Sequence, residues 1–132
     1  GGPVQIVEDL LTFFQIKKFW VFGFSWGGGI AMSVALQFPS RCEKLLLYMP
    51  SYTEQNGELK TIKQETFIMW IPVDQIHPVS LGRYFRKVIP SVTYVEVEIG
   101  KYDDEGGKNE YEKYKHLLLP PVISFIRKNK KQ

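Results

Sequence analysis

The stretch Gly23-Phe24-Ser25-Trp26-Gly27, followed by Gly28 and Gly29, sets one hydroxyl between spaced glycines. The pattern is G-x-S-x-G. A short apolar run, Phe19 to Phe22, precedes it, and residues patterned as a helix follow it. In that strand–turn–helix setting it reads as a nucleophile elbow. The turn is so tight that Ser25 is expected at positive φ, where a β-carbon is strained. Residues two before and two after the serine come close to each other and to neighbouring backbone. Glycine at Gly23 and Gly27 is expected to relieve those clashes. Oγ of Ser25 then stands above a sheet, and the helix starting near Gly27 aims its free N–H groups at the reacting centre. The backbone N–H of Trp26 is expected to be one donor of the oxyanion hole. The chemistry such an arrangement could do is nucleophilic attack by the serine oxygen. Two other glycine-rich motifs fail here. A phosphate loop needs Gly-Lys-Ser/Thr, and no lysine follows these glycines; a dinucleotide fingerprint needs G-x-G-x-x-G, and the spacing differs.

The elements that must carry this turn alternate along the chain. Pro3 sits where a first-turn proline is tolerated, and Val4, Ile6, Val7, Leu10, Leu11 and Phe14 then recur at helical spacing. Phe19 to Phe22 reads as a buried strand, Gly28 to Phe38 as a helix, and Leu45 to Met49 as a second strand stopped by Pro50. Ser51 to Gln64 is polar, with an Asn56-Gly57 turn, and reads as a surface loop or short helix. Thr66 to Ile71 is a third strand, Pro78 to Val88 a helix, and Ser91 to Ile99 a fourth strand. Lys101 to Asn109 is Gly-rich and acidic, a loop. Glu110 to Lys128 is the last helix, which Pro120 and Pro121 must restart or kink. The expected fold is therefore α/β, a parallel sheet of about four strands with helices on both faces. In such sheets the site lies at the carboxyl ends of the strands.

With these residues in place, the chain resembles the α/β-hydrolase family over nearly its whole length. Ile6 to Phe38 resembles the helix, strand, elbow and helix around the family nucleophile. Pro39-Ser40-Arg41 and then Leu45-Leu46-Leu47 resembles the family's link to its next strand. Trp70-Ile71-Pro72-Val73-Asp74-Gln75-Ile76-His77-Pro78 resembles the segment W-G-x-x-D-x-x-x-P, with Ile71 in place of glycine. The resemblance implies that Asp74 is the triad acid, in the order serine, acid, histidine. A carboxylate at the end of a strand can also, on its own chemistry, accept from an imidazole N–H and hold its tautomer. The other reading of Asp74 is a cap for the helix that Pro78 opens.

The histidine is where the resemblance departs. The family pattern puts it in a G-x-x-H-like loop after the fourth strand. Here that loop is Gly100-Lys101-Tyr102-Asp103-Asp104-Glu105-Gly106-Gly107, which has none. The only histidines are His77 and His116. His116 is taken first as the base, on the condition that the preceding loop folds back. His77 is its rival, on the correct rim but close in sequence to the acid. The third possibility is a chain without a working base, in which Ser25 is a poor nucleophile.

These readings lead to a hydrolase of a small-molecule ester or thioester, working through an acyl-serine without a cofactor. The alternative is a catalytically impaired module of the same fold that binds a ligand or a protein. No His/Cys/Asp cluster has zinc-ligand spacing, so no metal is expected.

Composition narrows the setting. At 132 residues, 44% hydrophobic and 23% charged, the chain is globular and has room for one domain. The net charge of +3 comes from Arg127, Lys128, Lys130 and Lys131 near the end; without them acidic residues are in slight excess. Nucleic-acid binding is therefore not expected. No apolar run approaches the ~20 residues of a membrane span. One cysteine suits a reducing compartment, and a cytoplasmic location is expected. The family resemblance implies eight strands, of which these four match the last. At ~30 residues or more per βαβ unit, residues 1–132 are expected to form a partial domain lacking the N-terminal strands. Phe19 to Phe22 would then be an apolar, uncharged edge, covered by a second copy of the chain or by a missing N-terminal segment.

Overall fold

The computed structural model describes residues 2–99 and 110–129. The order is α1 (Gly2–Phe13), β1 (Phe19–Phe24), α2 (Trp26–Gln37), β2 (Cys42–Tyr48), a 3₁₀ turn (Glu58–Thr61), β3 (Glu65–Trp70), α3 (Val79–Val88), β4 (Val92–Glu96) and α4 (Glu110–Asn129). The loop expected over Lys101 to Asn109 lies outside the described residues.

The four strands pair in the order β1-β2-β3-β4, every pair parallel. Each connection therefore steps in the same direction, and crossovers of the common right hand place α2 and α3 on one face. α2 packs against β1 and β2, and α3 against β3 and β4. α4 returns over the other face, where the Phe125 ring lies 5.3 Å from that of Phe67. The two-residue period of β3 divides its side chains accordingly. Phe67 and Met69 line a cavity with Leu118 and Val122 of α4, while Trp70 meets Gly82 and Phe85 of α3. With both faces covered, Leu45 to Leu47 of β2 and Phe67 to Trp70 of β3 are buried, which is why these stretches read as continuous apolar runs. β1 is one edge of the sheet, and Phe22 and Phe24 on it are exposed. Among the described residues no helix is long and apolar enough to cross a membrane.

Several local expectations change. α1 is helical, but only Val4, Val7 and Leu11 pack inward; Ile6, Leu10 and Phe14 are exposed, because α1 rests on α2 rather than on the sheet. The Ser51–Gln64 segment is not wholly superficial. Its 3₁₀ turn follows Gly57 at φ 68° and buries Leu59 and Ile62 in the core. Gln64 Nε2 donates to the Ala35 carbonyl at 2.8 Å, fastening the segment to α2. α4 is one helix with Pro120 and Pro121 inside it. Each proline leaves a carbonyl four residues earlier without its helical donor. Those carbonyls belong to His116 and Leu117, both exposed, so water can satisfy them.

Candidate active site

The turn between β1 and α2 holds Ser25 at φ 55° and ψ −121°. This is the positive-φ geometry expected of the elbow, and a non-glycine residue there costs about 1–3 kcal/mol. The neighbours hold the backbone in place. Ser25 N–H donates to the Tyr48 carbonyl at 3.1 Å, and the Ser25 carbonyl accepts from Ser51 N–H at 2.8 Å and Gly29 N–H at 3.2 Å. β2 and the loop after it thus fix the strained residue from outside its own segment.

The glycines around it do different work from that expected. At Gly23 a β-carbon would strike the Gly27 carbonyl oxygen and lie 2.6 Å from the Gly28 Cα. At Gly27 it would meet open space, so the expectation that Gly27 relieves a side-chain clash is corrected. The crowded positions are one and two residues later. A β-carbon on Gly28 would lie 2.6 Å from the Pro50 Cβ, and one on Gly29 would strike the Ser51 carbonyl oxygen. Both clashes come from the loop after β2, which is distant in sequence.

Ser25 Oγ lies 2.8 Å from Nε2 of His77. The other ring nitrogen, Nδ1, lies 3.2 Å from Oδ1 of Asp74. A carboxylate only accepts, so the proton between them belongs on Nδ1, and the Nε2 lone pair faces the serine hydroxyl. Asp74 Oδ1 also accepts from the N–H groups of Ile76 at 2.8 Å and His77 at 2.9 Å. One carboxylate oxygen therefore closes the turn and orients the ring. Both readings of Asp74 meet in one geometry, except that the segment it caps is the loop before α3 and not the helix itself. Only 12% of the His77 side chain and 4% of that of Asp74 are exposed. The Phe24 ring flanks the imidazole at 5.7 Å and itself stacks on Tyr48 at 5.1 Å.

The structure thus reverses the order expected for the histidines. His116 is exposed on α4, whereas His77 is the ring against Ser25. The short Asp74–His77 spacing, which counted against His77, is bridged by the turn that Asp74 itself caps. Trp26 opens α2 and is 69% exposed. As the first helical residue it has no acceptor for its N–H within the helix. Among the described residues, no three His, Cys, Asp or Glu side chains gather where a metal could be held.

The profile of the alpha/beta hydrolase fold matches residues 4–75, more than half of the chain. The chain belongs to the alpha/beta hydrolase fold family. The matched range includes Ser25 and Asp74, and His77 stands two residues beyond it. No curated protein matches this hydrolase-fold chain. Solved structures do. A CIB-like hydrolase from Thermoplasma acidophilum superposes with a TM-score of 0.70 at 21% identity, over 88% of this chain and 56% of that one. A serine hydrolase from the polyaromatic-hydrocarbon-degrading bacterium Cycloclasticus zankles gives 0.74 at 13% identity, over 96% of this chain and 70% of that one. The meta-cleavage product hydrolase of Pseudomonas fluorescens gives 0.69 at 14% identity, over 88% and 68%. At these identities the likeness is one of fold. The chain spans little more than half the length of the Thermoplasma hydrolase, so its strands form part of what that alpha/beta hydrolase contains.

Sequence reasoning missed Trp70 as a partner of this site. Its indole Nε1 donates to the His77 carbonyl at 2.9 Å. Its place at the head of the Asp74 segment was visible, but the direction of its ring was not.

Proposed function

We propose that the protein is a serine hydrolase of esters or thioesters, with Ser25 as nucleophile, His77 as general base and Asp74 as the acid that orients it. The observation that carries this is the continuous path Ser25 Oγ–His77 Nε2, 2.8 Å, and His77 Nδ1–Asp74 Oδ1, 3.2 Å. His77 Nε2 takes the hydroxyl proton as Oγ attacks the carbonyl carbon. The negative charge on the carbonyl oxygen is met by the Trp26 N–H at the start of α2. Collapse breaks the bond to the leaving alcohol or thiol, which receives its proton from His77. Water, giving a proton to the same Nε2, then attacks the acyl-Ser25 carbonyl; collapse breaks the bond to Oγ, which takes that proton back from His77 as the acid leaves. The exposed apolar residues next to Ser25 and His77 in sequence, Phe24, Trp26 and Ile76, support a small-molecule substrate with apolar substituents. The single-cysteine composition supports a cytoplasmic setting.

The test is labelling of the purified protein with a fluorophosphonate. Ser25 should be labelled, and Ser25→Ala and His77→Asn should not. Absence of labelling in the unsubstituted protein would instead favour a binding module of the same fold.

A further inference from the structure

We infer that Trp70 is a positioning residue for His77, acting through the His77 backbone; the inference rests on the serine-hydrolase reading. Both backbone polar groups of His77 are held by side chains. Its N–H donates to Asp74 Oδ1 at 2.9 Å, and its carbonyl accepts from Trp70 Nε1 at 2.9 Å. Most backbone groups in a folded protein find backbone partners. Here the residue carrying the base is pinned on one side by its own triad acid and on the other by an indole at the end of β3.

The indole is itself closely packed. Trp70 is fully buried, and its carbonyl accepts from Val97 N–H at 2.8 Å, tying the end of β3 to the residue after β4. α3 lies directly on the ring. A β-carbon at Gly82 would come within 2.5 Å of Cε3 and 2.7 Å of Cδ2, so only glycine lets the helix sit there. The direction of the indole N–H is therefore set by sheet and helix packing, and His77 must come to it. The segment between them is short, with Pro72 inside it. A shift of the His77 carbonyl would carry Nε2 off the serine hydroxyl, and misplacement by 1 Å costs about a hundredfold in rate.

A Trp70 that served only the core would give a different pattern. Trp70→Phe keeps an aromatic ring under Gly82 and removes the donor. It should lower kcat on a p-nitrophenyl ester roughly tenfold or more with KM unchanged. It should also slow fluorophosphonate labelling of Ser25 and alter the His77 Nδ1–H proton resonance, while His116 signals stay in place. Gly82→Ala keeps the donor but displaces the ring, and should show the same kcat loss if Trp70→Phe does not fold. Phe67→Leu loosens β3 from its opposite face and should lower Tm without the kcat loss. Equal kcat and an unchanged His77 resonance in Trp70→Phe and Gly82→Ala would overturn the role of Trp70 alone. So would an equal kcat loss in Phe67→Leu. An unsubstituted protein whose Ser25 resists labelling would overturn the hydrolase reading beneath it.

Discussion

Ser25 Oγ and His77 Nε2 are 2.8 Å apart although 52 positions separate the residues. Ser25 comes from the turn after β1 and His77 from the loop after β3, with β2 lying between those strands. The contact exists because parallel strands bring all their carboxyl ends to one rim. It also needs the Asp74 turn, which folds the loop back across the end of β2 toward the elbow.

The two histidines should separate cleanly in kinetics. His77→Asn should reduce kcat on a p-nitrophenyl ester by about 10³-fold or more, since removal of a base disables the nucleophile it serves. His116→Asn should leave kcat unchanged, because that ring is exposed on α4. Steady-state assays of both variants decide the matter, and a loss confined to His116→Asn would refute the assignment.

Asp74→Asn should keep much of the turn, because the amide oxygen can still accept from the Ile76 and His77 N–H groups. The imidazole would nevertheless lose the carboxylate that places its proton on Nδ1. A fall in kcat of about 10³–10⁴-fold with a small change in Tm is expected. Activity near that of the unsubstituted protein would show that the carboxylate only caps the turn.

The elbow glycines should differ in thermal denaturation. Gly23→Ala drives a methyl group into the Gly27 and Gly28 backbone and should destabilise by at least about 1–3 kcal/mol. Gly27→Ala meets open space in the first turn of α2. It should be neutral or stabilising by up to about 1 kcal/mol, from the better helix propensity of alanine. Equal losses of Tm would contradict the packing described.

Cys42 should be inert in the native protein. It is buried, and burial, assisted by the neighbouring Glu43 charge, pushes its thiol up to about 11. Arg41 does not counter this, because its guanidinium reaches instead to the carbonyls of Ile16 and Lys17. A disulfide reagent at pH 8 should therefore modify Cys42 slowly in buffer and rapidly in guanidinium chloride. Fast modification in buffer would place the thiol at the surface.

Arg83 and Glu96 should contribute to stability in a pH-dependent way. The paired hydrogen bonds from Arg83, both 2.8 Å, hold the Glu96 carboxyl down to about 2, against an ordinary 4.5. A depressed carboxylate stabilises the fold fully above its unfolded pKa, and that contribution disappears as pH falls from about 4.5 toward 2. Arg83→Met should therefore be less stable than the unsubstituted protein at neutral pH and equal to it near the lower limit. The gap should narrow as salt is raised, since the guanidinium is half exposed. Urea titrations across that range measure it.

The elbow at Ser25 was legible because its signal is local. The five residues Gly23 to Gly27 and their flanks prescribe a strand, a strained turn and a helix within a few ångströms of one another. The parallel sheet was legible for a similar reason, since strands buried on both faces must be apolar without interruption, as Leu45 to Leu47 are. Asp74 could be placed because it follows the end of β3 by only four residues. Which histidine faces Ser25 could not be read, since nothing within the Asp74–His77 segment shows which way the ring turns. That direction comes from Asp74 Oδ1, from the indole of Trp70 under Gly82, and from Phe24 across the sheet. The need for Gly28 and Gly29 was equally hidden, because Pro50 and Ser51, which crowd them, arrive from another loop. Steric rules along the chain determined the elbow by themselves; contacts between segments that only the folded sheet brings together decided which histidine faces it.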